Sequence, residues 1–316
     1  MAINADKPQR WKEDIARSVD QFNAWFMKFA PKAYRDTRVQ TTAHVEQALL
    51  LSQDLTNLTP ETLRANPGIL PALRMCCCPP IARDRLVGLA GASKSVVLKL
   101  EAGVIPSRIP AATVDANVQR IVRVIRRMLD IDIFPWLTAR KPATEIERHR
   151  ASTIVADRLC GAVSDPIVRN AQETRQLAYL AAYLKKKGYA HRAQPPGRPL
   201  TQMEAGTFTF RMNVLAGEER KVKIPIDVVI QPKVPRPSRL PVLIEAKSAG
   251  DFTNVNKRRK EEAAKIHHLK RAYGADVEYV LFLCGYFDAG YLGYEAAEGI
   301  DWIWEHRIED LEGLGI

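Results

Sequence analysis

Two apolar runs in the last third of the chain carry ionisable residues, and this combination restricts the possible folds more than any other feature. The run 224–230 contains Asp227, and the run 241–247 ends in Glu245 and Lys247. Aliphatic and β-branched residues next to prolines predict two short buried strands. Because an unpaired charge inside a protein is very costly, the fold has to supply a partner for each of these side chains.

A bound divalent cation would supply that partner. Side chains two residues apart on a strand share a face, so Glu245 and Lys247 are expected on one face of the sheet. Magnesium prefers oxygen ligands, commonly one or two carboxylates with water and phosphate oxygens. We therefore predict a metal site formed by Asp227 and Glu245, with the carbonyl oxygen of Ala246 as a third ligand. The alternative is a structural salt bridge at a strand end, between Glu245 and Lys247 or another base.

The two runs together resemble the motif of the PD-(D/E)xK nuclease superfamily. The match is Pro225-Ile226-Asp227, then seventeen residues, then Glu245-Ala246-Lys247, and the proline stands two positions before the aspartate instead of directly before it. The resemblance implies magnesium-dependent hydrolysis of a phosphodiester bond. Lys247 would orient or deprotonate the attacking water and stabilise the charge on the phosphate.

The order of the predicted elements fits the αβββαβ core of that superfamily. The periodicity predicts a helix over 168–187 and strands over 207–214, 222–230, 242–247 and 277–285. The superfamily often places a further acid on the first helix. Glu173 is the candidate for this metal ligand, because it is in line with the leucines that should meet the sheet. The alternative is an acid favoured there by the helix dipole.

The first 165 residues have mainly helical periodicity, and Asp165-Pro166 predicts that the helical structure is interrupted there. We therefore expect an α+β protein with an α/β-type core. Its two predicted parts are a helical region over 1–165, for DNA recognition and dimerisation, and a nuclease core over 166–316.

Residues from about 81 to 103 resemble the helix-turn-helix of phage-repressor-type regulators. A glycine supplies the turn, Ser93 is expected to cap the second helix, and Val97 and Leu100 are expected to pack inward. The start of a recognition helix reads base edges in the major groove. The residues predicted to face DNA there are Lys94, Ser95 and Lys99. A plain helical hairpin is the alternative.

Amide and basic side chains crowd the loop and helix that follow the second apolar run, between residues 251 and 274. Such groups can hold phosphates on either side of a cleaved bond. The residues predicted to contact DNA there are Asn254, Asn256, Lys257 and Arg258. The alternative is an ordinary solvated helix face.

The charge of the whole chain agrees with a polyanionic partner. The formal net charge is +11 and the isoelectric point is about 9.5, which favours nucleic acid. No stretch approaches the ~20 apolar residues that cross a membrane, and the N-terminus has no apolar signal core. Five cysteines without paired spacing fit a reducing compartment. We therefore expect a cytoplasmic protein without a membrane partner.

Longer segments resemble the XamI group of type II restriction endonucleases. They are residues 78–86 with the helix pair that follows, and residues 244–254 with 257–262. The resemblance covers most of the chain and implies an Mg²⁺-dependent enzyme that cuts both strands of double-stranded DNA at a short palindrome, within or near GTCGAC. It also implies a DNA methyltransferase that protects the host. A palindromic target would match a two-fold homodimer.

Three other functions remain compatible with the sequence. A structure-selective or repair nuclease of the same superfamily would cut only branched or damaged DNA. A non-catalytic regulator would bind DNA through the helix-turn-helix and use the acidic cluster only structurally. An RNA-binding or ribosome-associated protein is suggested by the charge alone, without a recognisable RNA module.

Overall fold

The computed structural model describes residues 2–195, 199–216, 222–234, 240–252 and 255–316, with the backbone alone described for 255–259. The α-helices are α1 (Pro8–Leu51), α2 (Pro60–Ala65), α3 (Leu70–Met75), α4 (Arg83–Ala90), α5 (Lys94–Glu101), α6 (Ala111–Met128), α7 (Trp136–Ala139), α8 (Glu145–Lys186), α9 (Val255–Tyr273) and α10 (Ala289–Ala297). The strands are β1 (Ala190–His191), β2 (Thr207–Ala216), β3 (Val222–Gln231), β4 (Val242–Ala249), β5 (Glu278–Gly285) and β6 (Asp301–Trp304). Short 3₁₀ helices lie at Pro67–Ile69, Leu200–Gln202 and Glu305–Leu314.

The strands form one mixed sheet in the order β1-β2-β3-β4-β5-β6. The pairs β2–β3 and β3–β4 are antiparallel, whereas β1–β2, β4–β5 and β5–β6 are parallel. Parallel neighbours need a crossover connection, and α9 and α10 supply it on either side of β5. The mixed sheet and its helices confirm the predicted α+β class. Among the described helices, none is long and apolar enough to cross a membrane.

The chain divides into two compact units. One contains Met1–Phe29 and Arg169–Ile316, and the other contains Ala30–Val168. The long helices α1 and α8 contribute residues to both units. The helical region predicted from the sequence includes residues 1–29, whereas the structure places them in the unit that contains the sheet. They belong to the sheet unit because apolar side chains of α1, among them Trp11 and Ile15, pack against the core of the sheet.

The sheet has an apolar cluster on each face. Leu243 and Leu281 belong to a cluster that also contains Ile266 of α9. Ile244 belongs to the opposite cluster, together with Leu180 of α8. Consecutive residues of a strand point to opposite faces, so α9 covers one face, called the α9 face below, and α8 covers the other, the α8 face.

The β2–β3 hairpin changes faces in its middle. In β2, Phe208 packs on the α8 face and Val214 on the α9 face, and in β3 Val228 and Ile226 differ in the same way. Regular alternation would keep residues separated by an even number on one face. The two strands must therefore rotate together between these positions.

The rotation coincides with Arg211 and Asp227, which lie across from each other between paired positions of β2 and β3. Arg211 has a φ of 52°, a left-handed conformation that is uncommon for any residue except glycine. This backbone departs from the regular strand at the place where the sequence puts its first candidate ligand.

The second unit is helical, and it contains the predicted helix pair. Helices α4 and α5 are joined through Gly91, which has a φ of 54°, and Val97 and Leu100 are fully buried, as predicted. Ser93 occupies the N-cap position of α5, but its side chain makes no cap hydrogen bond. Its hydroxyl instead bonds the hydroxyl of Ser95, with 2.9 Å between the oxygens.

The predicted break at Asp165-Pro166 is wrong, because α8 continues through Pro166. A proline inside a helix removes one backbone N–H and crowds an earlier carbonyl, at a cost of about 3 kcal/mol. Burial along this helix offsets that cost, since Leu159 lies 2% exposed before the proline and Leu180 is fully buried after it.

Candidate active site

Strands β3 and β4 separate at the point where the sequence places its two acids. The last paired residues of this ladder are Val228 and Ile244, so Asp227 and Glu245 are the next residue on each strand. The backbone N–H of Ala246 donates to Oδ2 of Asp227 at 2.9 Å, in place of a β3 backbone partner. The two acids therefore flank the position where the strands part.

Five side chains form a buried network on the α9 face, called the charge network below. Nζ of Lys247 lies 2.9 Å from Oε1 of Glu245 and 2.9 Å from Oε1 of Glu262. Nζ of Lys265 lies 2.5 Å from Oε1 of Glu245 and 4.0 Å from Oε2 of Glu262. The hydroxyl of Tyr279 donates to Glu262. Because Glu245 is 6% and Glu262 0% exposed, these charges compensate one another inside the protein.

The surroundings shift the protonation equilibria of the site. Burial, followed by the charge of Glu245, raises the pKa of Asp227 to about 6. Burial acts to lower the pKa of Lys247, but the charges of Glu262 and Glu245 outweigh it and leave that pKa above its usual value. Burial and the charge of Glu262 raise the pKa of Tyr279 well above its usual value. At neutral pH Lys247 is therefore a cation, and Tyr279 is a neutral hydrogen-bond donor.

The two acids suit a hard divalent cation. Oε2 of Glu245 is buried and has no hydrogen-bond partner among the described residues. Ionisation of Asp227 destabilises the folded protein, because burial and the charge of Glu245 raise its pKa. Within the described parts of the chain, no three His, Cys, Asp or Glu side chains gather in a way that could hold a metal. Magnesium is commonly held by one or two carboxylates with water and phosphate oxygens, so a donor set of Asp227, Glu245 and the carbonyl of Ala246 fits this ion.

Glu173 lies outside the charge network. It belongs to α8, its side chain is 39% exposed, and its Oε1 accepts from Arg211 at 2.8 Å. Its charge is a lesser cause of the raised pKa of Asp227. The charge of Glu173 therefore acts on Asp227. Its carboxylate pairs with Arg211, the residue of left-handed backbone conformation that lies across from Asp227.

The residues predicted to contact DNA fall into two groups. Lys94, Ser95 and Lys99 are exposed on α5, and Lys94 makes a surface ion pair with Asp84 at 3.4 Å. In the second group, Asn254 lies outside the described residues. The backbones of Asn256, Lys257 and Arg258 belong to the start of α9, and their side chains lie outside the description.

Sequence reasoning missed Glu262 and Tyr279 and treated Lys265 only as part of a basic helix. A signal was present, because Glu262 precedes Ile266 and Leu269 at the spacing of one helix face. Both apolar residues are buried against the sheet. An acid in the buried stripe of a helix next to a lysine-bearing strand indicates a charge partner for that lysine.

The mixed sheet with two buried acids near a lysine is compatible with a nuclease, and comparison with known proteins gives the class of this protein. Residues 53–304 match the family of XamI restriction endonucleases. The chain belongs to this family and is a type II restriction endonuclease, a site-specific deoxyribonuclease.

The chain is also similar over nearly its whole length to the type II restriction enzyme SalI of Streptomyces albus G. The two are 54% identical over 313 residues, which cover 99% of each chain. No solved structure matches the chain. The predicted resemblance to the XamI group and the predicted enzyme class are confirmed, and the regulator and RNA-binding alternatives are set aside.

Proposed function

We propose that this restriction endonuclease uses Mg²⁺, held by Asp227 and Glu245 in a PD-(D/E)xK core, to cut both strands of a palindrome within or near GTCGAC. The observation that carries the proposal is the parting of β3 and β4 between the two acids, with a buried oxygen of Glu245 left unpartnered among the described residues. The target is suggested by the sequence resemblance to the XamI group alone.

The order of elements supports the assignment of the core. Helix α8 is followed by β2, β3 and β4, then by α9 and β5, apart from the two-residue strand β1 and a single 3₁₀ turn. This is the αβββαβ order of the superfamily. Its acid-x-lysine lies on β4, the strand that α9 follows.

Each residue of the site would have its own role. Bound magnesium lowers the pKa of a coordinated water and offsets negative charge on the phosphate. Asp227 and Glu245 would hold the ion together with the carbonyl of Ala246, and Glu173 is a further candidate beside them. Lys247, which is a cation, would orient the attacking water and stabilise charge that develops on the phosphate.

A palindromic target suggests a homodimer, since one two-fold axis then relates both the half-sites and the two active sites. We also propose a partner DNA methyltransferase that protects the host target, and a cytoplasmic location, where that DNA is found. Sedimentation of the protein alone and bound to a target duplex tests the dimer, and a monomer in both states would contradict it.

Sequence-specific cleavage is expected in a plasmid assay. A supercoiled plasmid with one GTCGAC should become linear with magnesium and stay intact with calcium. A second plasmid, identical except that the site reads GACGTC, should stay intact under both conditions. The variant Lys185→Ala, at an exposed lysine of α8, should behave as the wild type, and Lys247→Ala should linearise neither plasmid.

Two other outcomes would redirect the proposal. Cleavage of both plasmids at one mapped site outside GTCGAC would keep the enzyme class and replace the target. Cleavage restricted to cruciform or damaged substrates would favour the structure-selective alternative.

The helix pair α4–α5 is proposed to read DNA, and Lys94→Ala is expected to weaken binding to the target duplex. Loss of a good base contact costs about 1–3 kcal/mol, which is roughly a 5- to 150-fold loss of affinity in calcium. Binding to unrelated DNA should fall much less. Lys32→Ala is the matched control, because Lys32 also makes an exposed ion pair with an aspartate, at 3.0 Å. Equal effects of the two variants would refute the assignment.

A further inference from the structure

Glu262 is a fully buried carboxylate that lies outside the acid-x-lysine motif. It is on α9, its side chain is 0% exposed, and Oε1 lies 2.9 Å from Nζ of Lys247. Its second oxygen, Oε2, accepts from the hydroxyl of Tyr279 and lies 4.0 Å from Nζ of Lys265. Tyr279 is on β5, so Glu262 is held from the strand next to β4 while it contacts the lysine of β4.

Stability alone is a weak reason for such a group. A buried ion pair contributes little net stability compared with well-packed apolar residues, because both charges lose their hydration. Lys247 already has Glu245 two residues before it on the same strand face. A second buried carboxylate on the same ammonium group therefore calls for a functional reason.

The reason follows from how Glu245 is shared. Oε1 of Glu245 contacts both Lys247 and Lys265, and Glu245 is also a proposed magnesium ligand. Glu262 has no such competing role in the proposed site. It approaches Lys247 from α9, whereas Glu245 approaches along β4. Two carboxylates on different elements fix the position of Nζ, and one of them remains available when Glu245 has other partners.

We propose that Glu262 is a positioning residue that holds the ammonium group of Lys247 in place for DNA cleavage, with Tyr279 fixing the orientation of Glu262. This role deepens the proposed function and rests on it, because it presumes that Lys247 acts in catalysis. Glu262 itself touches neither the DNA nor the ion.

A double-mutant cycle between Glu262→Gln and Lys247→Ala tests the proposal. Glutamine keeps the shape and accepts from Tyr279, but it lacks the charge. The single-turnover cleavage rate of Glu262→Gln is expected to fall about 10- to 100-fold, by analogy with the loss on removing a residue that orients a metal ligand. DNA affinity in calcium should stay unchanged. In the Lys247→Ala background the same substitution should change the residual nicking rate less than twofold. Glu261→Gln, an exposed acid on α9, is the matched control.

A second measurement keeps the test informative if Lys247→Ala nicks too slowly to follow. In protein labelled with ¹⁵N-lysine, the ammonium signal of Lys247 is assigned by its loss in Lys247→Ala. It should exchange slowly in the wild type and in Glu261→Gln, and broaden or vanish in Glu262→Gln. Tyr279→Phe should broaden the ammonium signal of Lys247 less strongly. This second variant keeps the test valid if Glu262→Gln does not fold.

Three results would overturn the role of Glu262. An equal rate loss in both backgrounds would show that it acts independently of Lys247. Weaker calcium binding by Glu262→Gln, measured calorimetrically without DNA, would make it a metal ligand. An unchanged rate with an unchanged ammonium signal would leave it a structural residue. If the wild type cleaves and Lys247→Ala does not, any of these results removes only this inference. A wild type that cleaves no DNA removes the proposed function first.

Discussion

Asp227→Asn is expected to abolish DNA cleavage and to raise the melting temperature of the metal-free enzyme at pH 7.5. Asparagine can still accept from the N–H of Ala246, but it removes a carboxylate that is ionised at a cost. Loss of a metal ligand should lower the cleavage rate by at least about 10³-fold, since metal supplies several kcal/mol of transition-state stabilisation.

The sign of the stability effect follows from the raised pKa of Asp227. Its value moves from 3.8 to about 6 because of burial and the charge of Glu245. Below pH 3.8 the carboxyl is protonated in both the folded and unfolded states and costs nothing. Between these values the unfolded state ionises first, so the folded state loses stability as the pH rises, and above pH 6 the penalty is complete. Its full size would be about 3 kcal/mol, and partial exposure reduces it to about 1–2 kcal/mol.

Melting temperatures in EDTA check this expectation. Asp227→Asn should gain about 2–8 °C at pH 7.5 and clearly less at pH 4.5. Asp276→Asn, at an exposed position of the same unit, should show no such pH-dependent gain. An Asp227→Asn variant that melts below the wild type at pH 7.5 would show that the carboxylate stabilises the fold, contrary to the raised pKa.

Lys247→Ala should also reduce cleavage to slow residual nicking, but with the opposite effect on stability. Removal of its ammonium group leaves Glu262 and Glu245 with Lys265 and Tyr279 as their remaining partners among the described residues. Breaking a buried ion pair from one side typically costs 3–5 kcal/mol, and we expect about 3 kcal/mol here because Lys265 remains. The melting temperature in EDTA should fall by about 6–12 °C.

The double variant Lys247→Ala/Glu262→Gln isolates the cause. Neutralising Glu262 should recover part of the lost melting temperature, because fewer buried charges then remain unpaired. Lys260→Ala, an exposed lysine on the same helix, should leave the melting temperature within about 1–2 °C of the wild type, as surface substitutions usually do. A Lys247→Ala variant as stable as the wild type would mean that the charge network does not depend on this lysine.

Sequence reasoning reached the part of the site that depends on local periodicity. The alternation of β4 places Glu245 and Lys247 on one face, and in the structure Lys247 pairs with both Glu245 and Glu262. Helical periodicity likewise identified the buried side of α5. These features depend on neighbours only two to four residues apart, which the sequence displays directly.

The other features of the site and the fold depend on contacts between elements that are far apart in the sequence. Glu262 becomes a partner of Lys247 only when α9 packs on the sheet. Its position in the apolar stripe of α9 indicates burial, but it does not show which basic side chain Glu262 will meet. Pro166 predicted a break from local propensity, and burial along α8 overrode it. The left-handed Arg211 has no signal at all, because its residue type gives no preference for that conformation.

The change of faces within the β2–β3 hairpin has a consequence for how the sheet unit folds. One half of the hairpin belongs to the apolar cluster under α8, and the other half belongs to the cluster under α9. Neither apolar cluster is complete until the β2–β3 hairpin packs against both of them. The two layers should therefore form and unfold as one cooperative foldon, and Asp227, at the change of faces, takes its place near Glu245 only once that event is complete.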